Sequence, residues 1–125
     1  MTNSRQKGAA GEREVATILR DELNLEIRRN WQQQAAEGGA DLTGVPGWAV
    51  EIKRGKRIQL TDAWTQACAQ ALRVTAKPVL VYRFDRARWM AQVSLYHLRP
   101  EMHDHSPCTM RLESWCKLVR LELDA

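Results

Sequence analysis

Hydrophobic residues recur along this chain with two different spacings, and each change of spacing marks the boundary of a structural element. In residues 4–24 they recur every three to four positions, which predicts an amphipathic helix with Glu14 on its outward face. Residues 25–30 predict a short strand, and residues 48–54 alternate between apolar and polar side chains, as a half-buried strand does. The buried stripe predicted for the helix consists of Val15, Ala16, Leu19 and Leu23.

A tight turn is predicted just before the alternating strand. Pro46 and Gly47 suit a type II turn, because proline presets φ at the first central position and glycine accepts a positive φ at the second. The turn would pair this strand with a preceding one that begins near Asp41. The two faces of the alternating strand are expected to carry Trp48, Val50 and Ile52 on one side, and Ala49, Glu51 and Lys53 on the other.

A second helix is predicted over residues 61–76, with Thr61 as its N-cap, and it leads into an apolar run at residues 79–82. A helix that connects two strands of one sheet makes those strands parallel. The predicted order is therefore α-β-β-β-α-β, an α/β fold with a mixed central sheet flanked by helices. Residues 89–95 predict a further strand, and residues 112–123 a helix or a strand–helix pair. The buried stripe of the second helix is expected to contain Ala63, Trp64, Ala67, Cys68, Ala71 and Leu72.

Composition narrows the class of protein. A chain of 125 residues suits one domain, and its net charge of +4 favours an anionic partner such as nucleic acid. Three cysteines without framework spacing fit a reducing cytoplasm, and no apolar run reaches the ~20 residues that span a bilayer. His103, His105 and Cys108 lack the paired spacing of zinc ligands, which favours a polar surface loop there.

Two carboxylates and a lysine are predicted to meet at the hairpin. Glu51 and Lys53 share one strand face, and Asp41 can reach the same place from the preceding strand. Such a group can hold a divalent cation and polarise a water molecule. The alternative is a solvated strand face with an ordinary surface ion pair, which would contribute little to stability.

An acid followed by Glu-x-Lys on the next strand resembles the PD-(D/E)xK nuclease superfamily and its restriction-endonuclease-like αβββαβ core. Two departures are Ala40, where many members have proline, and the nine residues between Asp41 and Glu51. The helix start Gly-Ala-Ala-Gly-Glu-Arg-Glu, from Gly8 to Glu14, resembles the first helix of archaeal-type and phage Holliday junction resolvases. In those enzymes a helical glutamate completes the metal site, and here that residue would be Glu12.

The resemblance implies a set of roles. Mg²⁺, with Mn²⁺ as a substitute, would be held by Asp41, Glu51 and the backbone carbonyl of Ile52. Glu12 would bind the same metal, directly or through water, or help to bind a second one. Lys53 would activate the attacking water and stabilise charge on the phosphate, and Gln66 on the second helix would help to orient the water or the phosphate.

The same resemblance implies branched or duplex DNA as the partner, in the cytoplasm of a bacterium or a phage-infected cell. Trp31 could stack on a base, although packing is the commoner role of such a residue. A homodimer with two active sites is expected, its interface formed by Trp89, Met90 and residues 115–123. The alternatives are a nuclease of repair, flap or restriction-like specificity and a non-catalytic DNA-binding module. The basic residues expected to follow the DNA backbone are Arg28, Arg29, Arg54, Lys56 and Arg57.

Overall fold

The polypeptide chain folds into one mixed sheet with helices on both faces. The computed structural model describes residues 4–30 and 40–125, the first four of them as backbone only. The elements in chain order are α1 (Ser4–Leu23), β1 (Arg28–Arg29), β2 (Leu42–Thr43), β3 (Trp48–Gly55), α2 (Leu60–Arg73), β4 (Lys77–Phe84), β5 (Met90–Ser94), α3 (Leu95–Leu98), a 3₁₀ turn (Pro100–Met102), β6 (Pro107–Arg111) and α4 (Leu112–Leu123).

Within the described ranges, six strands form a sheet in the order β1-β2-β3-β4-β5-β6. The β3–β4 pair is parallel, and every other neighbouring pair is antiparallel. The prediction of a parallel crossover through α2 is therefore confirmed, as is the α-β-β-β-α-β order. On one face the valines and isoleucine of β3 and β4 pack with α1 and α4. On the other face Leu80 and Tyr82 pack against the alanines of α2.

The predicted turn before β3 is confirmed. The N–H of Trp48 donates to the carbonyl of Val45 at 3.2 Å, and Gly47 has a φ of 81°. This positive φ is cheap for glycine, which has no Cβ to collide with the backbone. The turn fixes the antiparallel pairing of Leu42 with Val50, and thereby decides which side chains of β3 share a face with Asp41.

The second helix differs from its prediction at both the start and the buried face. It begins at Leu60 with Gln59 as the N-cap, so the prediction that Thr61 caps it is wrong. Its buried stripe is centred on alanines that allow close approach to the sheet, and it includes Gln70, which is only 8% exposed. Leu72 is 80% exposed, because the helix is rotated towards its glutamine flank.

The tryptophans expected at a dimer interface lie inside the monomer. Trp115 is fully buried and packs edge-on against Trp48, with ring centroids 5.4 Å apart. Trp89 is also buried and contacts Gly11 of α1. The expectation that these two residues form a subunit interface is wrong, because they join α4 and β5 to the core. The helix over residues 112–123 is confirmed, whereas β6 was not anticipated.

The first strand is also shorter than predicted, since only Arg28 and Arg29 pair with β2. Ile27 is buried beneath α1 all the same. Among the helices in the described part of the chain, none is both long and apolar enough to cross a membrane.

Candidate active site

Asp41 is fixed to the edge of β3 by its backbone and by its side chain. Its N–H donates to the carbonyl of Val50 at 2.8 Å, and its Oδ2 accepts the N–H of Ile52 at 2.7 Å. The side chain thus extends the hydrogen-bond ladder by one position, just before the residue at which β2 begins. As a result the carboxylate of Asp41 lies beside that of Glu51, as the hairpin pattern predicted.

Glu51 is a buried acid, with only 4% of its surface exposed. Burial, followed by the charge of Asp41 and a hydrogen bond between the two carboxyl groups, raises the pKa of Glu51 from 4.5 to about 8. Lys53 acts in the opposite direction, and Glu12 raises this pKa slightly further. Near neutral pH, the Glu51 carboxyl therefore tends to keep its proton, in a hydrogen bond with Asp41.

Lys53 connects the acid pair to an open cleft. Its Nζ lies 3.8 Å from Oε1 of Glu51, and its side chain is about one-third exposed. The cleft has a volume of about 250 Å³ and is bordered by Lys53, Arg57 and Gln66, among others. The structure therefore brings Gln66 to the same cleft as the lysine, on the exposed side of α2. Asp62 also lines the cleft, so a phosphate group there would meet an ammonium, a guanidinium and an amide beside one carboxylate.

Glu12 is engaged by an arginine of β1. Its Oε1 accepts hydrogen bonds from Nε and Nη2 of Arg29 at 2.9 and 2.8 Å, and both side chains are only 13% exposed. A partly buried, charge-assisted pair of this kind orients both groups. Arg29 is therefore part of the acid cluster. The sequence pattern had suggested only that it contacts the DNA backbone.

Asn30 is a positioning residue that the sequence reasoning missed. Its side-chain amide donates to the carbonyl of Ala40 at 2.9 Å, and its backbone N–H donates to the carbonyl of Asp41 at 3.0 Å. Asn30 is buried, and these two bonds hold Asp41 against the end of β1. The sequence offered one signal for Asn30: a polar residue directly follows the first strand, in the segment that leads to Asp41.

The remaining predicted residues occupy different surroundings. Arg28 is exposed and forms an ion pair with Glu26. Arg54 lies on the opposite face of β3 and pairs with Glu14, which was expected to face solvent but instead holds α1 to the sheet. Lys56 and Arg57 are exposed after β3. Trp31 lies outside the described residues.

The acid pair suits Mg²⁺, although no complete cage for an ion is preformed. Among the described residues, no three carboxylate, imidazole or thiolate groups are arranged as a metal site. Mg²⁺ needs only one or two carboxylates and keeps several waters, and Asp41 and Glu51 offer two carboxylates with oxygen donors alone. Burial beside Asp41 raises the pKa of Glu51, and a cation bound to the two carboxylates would favour their charged forms.

Comparison with known proteins gives the family. Residues 3–114 match the family model described as "Phage putative PDDEXK endonuclease". Among solved structures, the Holliday junction resolvase Hjc of the archaeon Archaeoglobus fulgidus has the same fold, with a TM-score of 0.51 and 23% sequence identity over 68% of this chain and 70% of that chain. No curated protein matched. Since the family model spans most of the chain and the fold agrees, this protein belongs to the phage PD-(D/E)xK endonuclease family.

Proposed function

We propose that this nuclease is a Mg²⁺-dependent, structure-selective endodeoxyribonuclease that resolves four-way DNA junctions by paired phosphodiester hydrolysis. The observation that carries the proposal is the cluster of Asp41, Glu51 and Lys53 beside a cleft with basic and amide side chains. A buried glutamate beside a partly buried aspartate is costly for stability and is therefore expected at a site that binds and reacts.

Asp41 and Glu51 are the residues that would hold the metal ion, with the backbone carbonyl of Ile52 as a further oxygen donor. When bound, Mg²⁺ supplies Lewis-acid polarisation of the phosphate and of a water molecule. The N–H of Ile52 donates to one carboxylate oxygen of Asp41. This hydrogen bond would keep the carboxylate oriented before the ion binds. A role for Glu12 as a direct ligand remains a prediction, since its carboxylate binds Arg29 here.

Lys53 provides positive charge at the cleft side of the acid pair. Its ammonium would stabilise the charge that builds on the scissile phosphate and would favour the deprotonated form of the attacking water. Gln66 and Arg57 border the same cleft and would orient the phosphate. Mn²⁺ is expected to substitute for Mg²⁺, because the donors are all oxygen.

Junction resolution is the finer part of the proposal. The structural neighbour is a Holliday junction resolvase, and the fold alone is what the two proteins are shown to share. Resolving a junction takes two symmetric nicks, whereas the residues named above form one active site. A homodimer with two-fold symmetry would supply both sites. The protein would act in the cytoplasm of a bacterium or a phage-infected cell.

The test is cleavage of a synthetic four-way junction beside linear duplex, flap and fork substrates, each with Mg²⁺ and with EDTA. We expect paired, symmetric nicks in the junction with Mg²⁺ and none with EDTA. Glu51→Gln serves as the inactive control. Preferential cutting of flaps or duplex would support the nuclease activity but contradict the junction specificity. Binding without cleavage under every metal condition would instead favour a non-catalytic DNA-binding module.

A further inference from the structure

A second basic groove lies at the end of β3 and β4, on the opposite face of the sheet from Lys53. Its volume is about 380 Å³, and Arg54, Arg83, Asp85 and Arg86 line it. Arg54 and Arg83 are register partners on the two parallel strands. Neighbouring residues along a strand face opposite sides, so these arginines point towards α1 while Lys53 points towards α2.

Arg54 joins this groove to the cleft at the acid pair, because it borders both of them. Lys56 and Arg57, which follow directly after β3, are exposed at the same end of the sheet. Positive side chains therefore run from the cleft, around the end of the two strands, and into the groove. A continuous path of this kind suits an extended polyanion better than a small anion.

Glu14 holds two of the arginines in place. Its Oε1 accepts from Nη1 of Arg83 at 2.8 Å and from Nε1 of Trp89 at 2.9 Å, and its Oε2 lies 3.5 Å from Nη1 of Arg54. Arg83 also donates from Nε to the carbonyl of Ala87 at 2.8 Å. A guanidinium has five N–H donors, so an arginine held this way keeps donors for a phosphate and loses little freedom when it binds one.

Arg86 occupies a position in the turn after β4 that glycine would occupy more easily. The N–H of Ala87 donates to the carbonyl of Phe84 at 3.0 Å, and Arg86, at the tip, has a φ of 66°. This left-handed conformation is strained for a residue with a Cβ. The side chain is exposed and lines the groove, so the strain yields no buried contact in return. Strained residues of this kind are found at ligand-binding sites, which makes Arg86 a candidate contact residue.

We propose that this groove binds the sugar–phosphate backbone of a DNA segment other than the one cut at the cleft. Arg83 and Arg86 would be the contact residues, and Glu14 a positioning residue. The inference rests on the proposed function, because DNA bound at the cleft is what brings further phosphates to the groove. Backbone contacts of this kind add affinity that depends strongly on salt, and they read no bases.

The sharpest test is Arg86→Gly, because stability and binding should change in opposite directions. Glycine relieves the strained φ, so the melting temperature should stay level or rise. The dissociation constant for junction DNA should increase roughly tenfold at low salt, the cost of about one charge-assisted hydrogen bond. The slope of log K against log salt should become shallower by about 1. Fluorescence anisotropy in EDTA measures binding without cleavage.

Arg83→Gln provides a second variant, and Arg73→Ala is the matched control. Arg73 is an exposed arginine in the last turn of α2, at the end of that helix away from the cleft, and its removal changes the net charge equally. If both groove variants keep the affinity and salt slope of the wild type, and the wild-type protein binds and nicks DNA, this inference alone is overturned. A wild-type protein that does not bind DNA would overturn the proposed function as well.

Discussion

Glu51 combines deep burial with a neighbouring acid, and its protonation therefore links the stability of the protein to pH. The ordinary pKa of 4.5 is raised to about 8, first by burial and then by Asp41. The folded, metal-free protein thus binds this proton more tightly than the unfolded chain does. The resulting stabilisation is fully present below pH 4.5 and is lost as pH rises towards 8.

Glu51→Gln should remove this pH dependence. In EDTA, the variant and the wild type should have similar free energies of unfolding at about pH 4.5. At about pH 9 the variant should be more stable by up to about 5 kcal/mol, at about 1.4 kcal/mol for each pKa unit, since it no longer buries a charge. Urea denaturation at the two pH values measures the difference. Equal pH profiles for the two proteins would contradict the assignment of Glu51 as the titrating group.

The same substitution tests the metal without any measurement of cleavage. Mg²⁺ should raise the melting temperature of the wild type, and more strongly towards pH 8, because the ion competes with the proton on Glu51. Glu51→Gln should lose this response and should lose cleavage, while it binds DNA as well as the wild type or better. A full Mg²⁺ response in Glu51→Gln would place the ion elsewhere.

Lys53→Ala should slow cleavage by about 100-fold or more, the usual effect of removing a charge that stabilises the transition state. Lys53→Arg should restore little of the cleavage rate, because the guanidinium is larger than the ammonium and hardly deprotonates. Single-turnover cleavage at saturating protein measures both variants. Arg73→Ala, at an exposed position in the last turn of α2, is the control and should cleave normally. Full activity in Lys53→Arg would reduce the role of the lysine to charge alone.

At the scale of elements, the hairpin of β2 and β3 delivers Asp41 and Glu51 to one place, and its connection depends on a close backbone approach. Gly44, between β2 and the turn, has a φ of 116°. A Cβ at this position would collide with the carbonyl oxygen of Glu26 and would lie 3.1 Å from Cα of Ile27. The backbone before β1 therefore packs directly on the hairpin.

Gly44→Ala should cost at least about 2 kcal/mol in stability, since both the φ and the collision oppose any side chain. It should also reduce cleavage, because Asp41 would move with the hairpin. Gly8→Ala is the control: it lies exposed in α1 with no atom near its missing Cβ, and alanine should stabilise the helix by up to about 1 kcal/mol. Thermal unfolding compares the two. Equal melting temperatures would contradict the close approach.

At the scale of the whole molecule, the two ends of the sheet are built differently. At the start of β3 and β4, Lys77 lies over the ring of Trp48, 4.4 Å from its centroid. Glu122 of α4 accepts from Nζ of Lys77 at 2.5 Å and from Nε1 of Trp48 at 3.0 Å. This end is closed by packing and ion pairs. At the other end, the strands finish among arginines and the cleft, where we propose that DNA binds.

The proposed homodimer belongs to this scale. Light scattering should give about twice the chain mass of 14.3 kDa, either free or on junction DNA. On a junction labelled on two opposing strands, both nicks should appear within the lifetime of one complex. A mass near that of one chain in both conditions, with single nicks, would contradict the dimer and favour an endonuclease that cuts one strand at a time.

Local sequence patterns were enough to predict the hairpin, the crossover and the acid pair. Alternation with period two assigns Glu51 and Lys53 to one face, and Pro46–Gly47 sets the turn that aligns them with Asp41. These are local relations, because residues a few positions apart fix each other's direction through backbone geometry.

The partners of the charged groups became clear from the folded structure alone. Glu14 reads as a solvent-facing helix residue, yet it binds Arg83, which lies 69 positions later. Glu12 binds Arg29, and α2 buries Gln70 while exposing Leu72. Helical periodicity gives a broad stripe with uncertain edges, and the residue at an edge is buried or paired according to what distant elements bring beside it. That depends on packing between elements, which no local pattern encodes.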